Sequence, residues 1–306
     1  MKKKIIVTAF SNLTTDQRIE KVCKTLHDNG YVIELIGCNY GCNQEVKREY
    51  TVEKINLISK SLKTAYFEFN WKLYQKLLNK SFENTVLLTN DLDTLLPNFL
   101  LSKKKKIPLV FDSHEIFTEM PAIQGKISQK IWRFAENKML PHIEFMMTES
   151  ESYAKWFHEK YNVTPVVVRN IPKKLPLQEK TLTQNPKIIL YQGAINPSRG
   201  IDKAILAMKF IENANLIIVG DGPMRKKYEA FAVSNHLAHK VQFLGKKRPS
   251  ELRTITQKAN VGISLEENNG VSYYYSLPNK VADYIQARVP LVMINFPEMK
   301  IGRAHV

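Results

Sequence analysis

Short β-branched apolar runs alternate along this chain with stretches whose apolar residues return every three or four positions. "IIVTAF" (5–10) is followed by Ile19, Val22, Cys23 and Leu26 at helical spacing, then by "YVIELIG". The same alternation returns at "TVLLTN", at "IPLVFD", and at "IEFMMTES" before "YAKWFHEKY". Strands that alternate with helices predict a parallel sheet whose crossover helices cover both faces. Thr14 to Gln17 fits a capping box that opens the first helix, and Asn29-Gly30 closes it.

The pattern breaks once. "NIPKKLPLQEKTLTQNP" carries Pro172, Pro176 and Pro186 with little periodicity, and reads as a linker. The alternation then restarts through "KIILYQG", "NLIIVG", "VQFLG", "VGISL" and "PLVMINF", with helical stretches between them. The expected architecture is α/β: two Rossmann-like doubly wound domains, 1–169 and 187–300, joined by residues 170–186 and facing each other across a cleft. Ligands of such sheets bind beyond the carboxyl ends of the strands. A second domain of this kind should continue past the strand at 291–296. The tail "IGRAHV" also matches what a common DNA-sequencing adapter encodes in one frame. We therefore expect an incomplete second domain and six non-native residues, 301–306.

A chain of 306 residues has room for two such domains. Its 45 Lys+Arg against 29 Asp+Glu give a formal charge of +16, which suits an anionic partner without fixing the fold. No helix-turn-helix, zinc-finger or RNA-binding signature accompanies that charge, so nucleic acid is not expected. Cys23, Cys38 and Cys42 are odd in number and, with His27, fit no zinc spacing; they read as reduced thiols. No apolar run reaches the roughly 20 residues of a membrane span. The opening run 5–10 is too short for a signal peptide. The expected location is cytoplasmic, with peripheral contact at the inner face of the plasma membrane.

Four stretches carry candidate chemistry. In "LIIVGDGPMRKKYE" a strand runs into Gly220-Asp221-Gly222-Pro223 and then a helix. Glycines let the backbone approach a ligand, and a helix start offers free N–H groups to an anion. Alone, this reads first as a tight βα turn. In "YQGAINPSRGIDKAI", Gly193 follows a strand, and Arg199 and Lys203 flank a helix start, as phosphate ligands or as a solvated helix end. In "LEENNGVSYYYSLPNKVADYIQ", Ser276, Leu277, Asn279 and Lys280 form a second phosphate-facing turn. Asp283, one turn on, is placed for ribose hydroxyls or as a first-turn carboxylate. In "IPLVFDSHEIFTEMP" a buried strand stops at Asp112, Ser113, His114 and Glu115, a polar cluster that reads either as a ligand site or, for His114, as a structural residue at a strand end.

Taken together, "VGDGPMRKKYE", "FLGKKRPSEL" and "SLPNKVADYIQARVPLV" resemble the donor-domain blocks of the retaining GT-B glycosyltransferases of family four. "TTDQRIEKVCKTLHDNGY", "FDSHEIFTEMP" and "VVVRNIP" resemble one bacterial branch of that family. The resemblance implies a nucleotide-sugar donor, UDP- or GDP-linked, held by the second domain. Arg199 and Lys280 meet the diphosphate and Asp283 the ribose, with Gly193, Gly220 and Gly222 close to the donor. The partner acid of the family pattern falls on Tyr275, so Glu266 or Glu267 is expected to replace it. The usual Arg after the first glycine is absent at Ala194 and Ile195, leaving the phosphate charge to Arg199, Lys203, Lys280 or Lys226. His114 is expected to hydrogen-bond a sugar hydroxyl or the developing charge across the cleft from Arg199, Lys280 and Asp283. Asp112 and Glu115 would orient it or bind the acceptor.

No metal cofactor is implied, although Asp91-Leu92-Asp93 has the form of a GT-A metal motif. The acceptor that the resemblance implies is a cell-surface glycan or a polyprenyl-linked carrier. The basic, aromatic stretches 61–80 and 126–140 suit an anionic membrane surface, or else place their aromatics in the core. Competing readings are a nucleotide-sugar epimerase and a non-catalytic nucleotide-sugar or polyanion binder.

Overall fold

The computed structural model describes residues 2–14, 16–41, 44–172, 174 and 185–303. The chain divides into two units, Met1–Thr118 with Gly125–Arg169, and Glu119–Gln124 with Asn170–Val306. Cys42 and most of the expected linker lie outside the described residues, as does the end of the expected foreign tail.

The first unit contains β1 (Lys4–Thr8), α1 (Gln17–Asp28), β2 (Val32–Cys38), β3 (Thr51–Ile55), α2 (Leu62–Leu78), β4 (Thr85–Asn90) and α3 (Leu92–Lys105). It continues with β5 (Leu109–Ser113), α4 (Ile127–Met139), β6 (Phe145–Thr148), α5 (Glu151–Tyr161) and β7 (Val166–Val167). Its seven strands run parallel in the order β3-β2-β1-β4-β5-β6-β7. The chain winds outward from β1 through β2 to β3, then returns to β4 on the other side of β1. The connections that leave β1 and β4 therefore run to opposite sides of the sheet, a switch point at which such sheets have a crevice. Asn90 closes its floor, its Nδ2 donating to Thr8 O at 3.0 Å. Ile5, Val7, Ile33 and Leu35 bury one face of the sheet against Ile19 and Cys23 of α1.

The capping box expected from Thr14 to Gln17 does not form. The helix starts at Gln17, and Asp16 caps it by accepting from Ile19 N at 3.2 Å. The Thr14 hydroxyl is taken by Asn12 Oδ1 at 2.6 Å. A carboxylate next to the first turn satisfies the free N–H groups and the dipole together.

The second unit contains β8 (Lys187–Gln192), α6 (Ile201–Ala207), β9 (Ala214–Val219), α7 (Arg225–Ser234), β10 (Val241–Gly245) and α8 (Pro249–Lys258). It continues with β11 (Val261–Ser264), α9 (Val271–Tyr274), α10 (Asn279–Gln286), β12 (Leu291–Met293) and α11 (Pro297–Arg303). Its parallel order, β10-β9-β8-β11-β12, reverses at β8. Successive β8 residues serve opposite layers: Tyr191 packs with Ile205, Ile218 and Tyr228, and Leu190 with Val219 and Tyr284. Among the described residues no helix is long and apolar enough to cross a membrane. Cys23 and Cys38 are buried, unbridged thiols whose burial pushes their pKa up, to about 12 and about 11.

Candidate functional site

In each unit several of the sequence-predicted residues, Asp112 and His114 in the first and Glu266 and Gly193 in the second, lie at or just after the carboxyl ends of the strands. The first unit is built around a residue that motif reading passed over. Arg18, in the first turn of α1, is only 5% exposed. Its Nε and Nη2 donate to Asp112 Oδ2 and Oδ1 at 3.0 and 2.5 Å, and its Nη1 donates to Val168 O at 2.6 Å. A two-pronged contact of this kind suits the planar guanidinium. Asp112, at the end of β5, is fully buried and also lies 3.4 Å from His114 Nε2. Burial would raise the Asp112 carboxyl, but His114 and Arg18 outweigh it and hold the pKa below the usual range.

His114 is fixed on both sides. Nε2 lies 3.1 Å from Asn90 Oδ1, Nδ1 lies 3.2 Å from Asp91 Oδ2, and the backbone N–H donates to Asp91 Oδ1 at 2.8 Å. Burial alone would lower its pKa; Asp91 and Asp112 reverse that and raise it to about 9. At neutral pH His114 is thus an imidazolium, a donor at both nitrogens. Asp91 has φ 57° and ψ 167°, a conformation rare outside glycine. Its N–H donates to Asp112 O at 2.9 Å and its carboxylate grips His114, so the cluster itself holds the strained residue. Glu149, just after β6, is pushed up to about 8 by burial despite Arg18 and His114, so it is largely protonated at neutral pH. Of the remaining expected residues, Glu115 takes part through its carbonyl, which accepts from Ser113 Oγ at 2.9 Å. Asp93 lies buried in the first turn of α3.

In the second unit Glu266 is the centre. It is 1% exposed, on the loop after β11. Its Oε1 accepts from Lys280 Nζ at 2.5 Å and lies 3.4 Å from Arg199 Nη1; its Oε2 accepts from Ser264 Oγ at 2.7 Å. Aromatic rings back both cations: Lys280 Nζ stands 4.4 Å from the Tyr191 ring centre, and the Arg199 guanidinium 4.2 Å from that of Tyr273. Burial would raise Glu266, but Lys280 and Arg199 outweigh it and keep it ionised; burial lowers the Lys280 pKa. Two cations and one carboxylate leave one positive charge in a desolvated place, which favours an incoming anion.

Three turns lie beside this cluster. Gly193 N donates to Val219 O, Ile195 N to Asp221 O, and Gly220 N to Gly245 O, at 2.9, 2.9 and 3.0 Å. Gly220 has φ 145°, and a Cβ there would stand 1.8 Å from Gly193 O; one at Gly222 would stand 2.5 Å from Ile195 O. The glycines let the turns after β8 and β9 lie against each other. Asp283 is joined to the same strand end: its Oδ2 accepts from Gln192 Nε2 at 2.9 Å, while Gln192 Oε1 accepts from Thr256 Oγ1 at 2.7 Å.

Arg199, Lys280 and Glu266 therefore form one cluster, and Gly193, Gly220 and Gly222 another close by. Lys203 is drawn off to Glu267 on the exposed surface. Ser276 donates to Tyr273 O at 2.9 Å, Leu277 is half-buried, and Asn279 is exposed at the start of α10. Tyr191, Tyr273, Ser264 and Gln192 were not singled out in the sequence. Only the aromatic content around two lysine- and arginine-bearing turns pointed to the two tyrosines.

Residues 174–299, within the second unit, match the model of the family described as Glycosyl transferases group 1. A curated relative, an uncharacterized glycosyltransferase of Methanocaldococcus jannaschii, is 38% identical over 71 residues, 23% of this chain and 20% of that protein. That match spans about a fifth of the relative's length. Among solved structures, sucrose-phosphate synthase from Thermosynechococcus elongatus superposes with TM-score 0.79 at 15% identity, covering 98% of this chain and 83% of that one. Anabaena HepE in complex with UDP-glucose gives TM-score 0.70 at 13% identity, covering 97% and 82%. At such identities the likeness shows the fold: α/β, of the GT-B type, with two Rossmann-like sheets.

Proposed function

We propose that the protein transfers a glycosyl group from a nucleotide-sugar, UDP- or GDP-linked, to a cell-surface glycan or lipid-linked acceptor, with retention of configuration, as in family four. The observation that carries this is the buried Arg199–Glu266–Lys280 cluster beside the glycine turns of the second unit. In this reading the diphosphate of the donor meets Arg199 and Lys280, and Asp283, oriented by Gln192, accepts from the ribose. Charge develops on the departing diphosphate, so cations already fixed by Glu266 and two aromatic rings stabilise the transition state without reorganising. Phosphate charge is assigned to Arg and Lys rather than to a divalent cation, so turnover should survive a chelator. His114, an imidazolium at neutral pH, donates a hydrogen bond to a sugar hydroxyl or to the developing charge. It is in the wrong protonation state for a base or a nucleophile. The HepE complex with UDP-glucose supports a nucleotide-sugar as the donor class.

Differential scanning fluorimetry against UDP-, GDP- and ADP-sugars tests the reading. One nucleotide-sugar should raise the melting temperature, and Lys280→Met should abolish that rise and lower turnover by about a hundredfold or more. Nucleoside diphosphate should be released only when acceptor is present. No stabilisation by any of these donors would remove the proposal.

A further inference from the structure

The first unit carries an apolar, cationic face outside both clusters. α2 packs against α3 and α3 against α4, so the three helices lie side by side. Their aromatic residues include both inward and outward members, with Tyr66, Tyr74, Phe99 and Trp132 half-buried. Phe69 is fully buried, and Trp132 turns inward onto Tyr66 and Phe117, with ring centres 5.5 and 5.0 Å away. Phe67 and Trp71 of α2 point the other way, 78% and 60% exposed, one helical turn apart. On α4, Ile127, Ile131 and Phe134 are 78%, 63% and 66% exposed, at the spacing of one helix stripe. Leu96 and Leu100 on α3 extend the apolar surface between them. Scattered exposed apolar residues are ordinary; a set of them on three adjoining helices marks a partner surface.

The charges identify the partner. Every exposed charged side chain on these helices is cationic: Lys63 on α2, Lys103 to Lys105 on α3, and Lys130, Arg133 and Lys138 on α4. The acids of the same helices, Glu68, Asp93 and Glu136, are half-buried or buried. Lys138 Nζ lies over the Phe134 ring, 5.9 Å from its centre, so cation and aromatic stand together on this face. Aromatic and aliphatic side chains that project among lysines, with no exposed acid, match the interfacial layer of an anionic bilayer. We propose that the outer face of α2, α3 and α4 docks on an anionic membrane surface, with Phe67, Trp71, Ile131 and Phe134 entering the headgroup layer. The inference is independent of the nucleotide-sugar reading, since its test contains no nucleotide.

Co-sedimentation of the full chain with phosphatidylglycerol-rich vesicles, and with phosphatidylcholine vesicles, tests it. The chain should sediment with the anionic vesicles at low salt, weakly with the neutral ones, and less as salt is added. Lys104→Glu and Lys130→Glu should each weaken binding by roughly fivefold. The pairs Phe67→Ser with Trp71→Ser, and Ile131→Ser with Phe134→Ser, should each weaken it by about tenfold or more. These side chains are exposed, so far-UV circular dichroism should be unchanged. Phe210→Ser, 87% exposed in the second unit, should bind as the parent does. No sedimentation with anionic vesicles, or parental binding by both serine pairs, would overturn the proposal. A lipid-free dimer that the serine pairs convert to monomer would also overturn it and make the face a self-interface.

Discussion

Replacing His114 with glutamine tests the ionic account of the first-unit cluster. Glutamine keeps a planar polar group near Asp91, Asn90 and Asp112 but has no proton to lose. In the parent, the pKa of His114 is carried from 6.5 to about 9, chiefly by Asp91 and Asp112 working against burial. At about 1.36 kcal/mol per tenfold change in proton affinity, that shift contributes about 3 kcal/mol to the folded state. A raised folded pKa gives stability that is complete below pH 6.5 and lost as pH climbs through 9. Glu149 adds a slope of the same sign lower down: its pKa rises from 4.5 to about 8, so deprotonating it costs the folded state between those values. The three tryptophans, Trp71, Trp132 and Trp156, all lie in the first unit. Urea unfolding followed by tryptophan fluorescence therefore reads that unit alone. The difference in unfolding free energy between parent and His114→Gln should shrink by about 3 kcal/mol from pH 6.5 to above pH 9. The variant should be nearly flat above pH 8. A constant difference across that range would refute the imidazolium assignment, and with it the donor role given to His114.

Three further outcomes follow from the geometry. Arg18→Met leaves Asp112 buried without its two-pronged partner and should cost about 3 kcal/mol or more, read by the same fluorescence transition. Glu266→Gln leaves Lys280 and Arg199 without their counter-charge; it should lower the melting temperature, and added nucleoside diphosphate should restore it more than it raises the parent's. Gly220→Ala forces a Cβ to within 1.8 Å of Gly193 O at φ 145°. It should cost about 3 kcal/mol or more in urea unfolding followed by circular dichroism, and an unchanged midpoint would contradict the packed turns.

The strand–helix order was legible because buried parallel strands are continuous apolar runs. "TVLLTN" is β4 residue for residue, and "VQFLG" is β10. β3 was not seen: "TVEKI" is an edge strand with three half-buried positions, and only its pairing with β2 defines it. β7 has two residues, too few for a period. Glycine turns and cation-bearing helix starts were visible because their chemistry is local. Arg18 was not, because it is defined by Asp112, 94 residues away. Its one sequence trace is its place a turn before Val22, at the edge of the apolar stripe of α1. The two aromatic stretches could not be split into inward and outward side chains until α2, α3 and α4 had neighbours.

The turns after β8, β9 and β10 are tied to one another through main-chain hydrogen bonds, Gly193 to Val219, Ile195 to Asp221 and Gly220 to Gly245. Such a floor is indifferent to side-chain chemistry except where a Cβ would intrude. Under the proposed donor reading, substitutions at the exposed rim positions Ala194 and Asp221 would alter what is recognised while leaving those main-chain bonds in place. Selectivity can drift on this scaffold faster than its architecture.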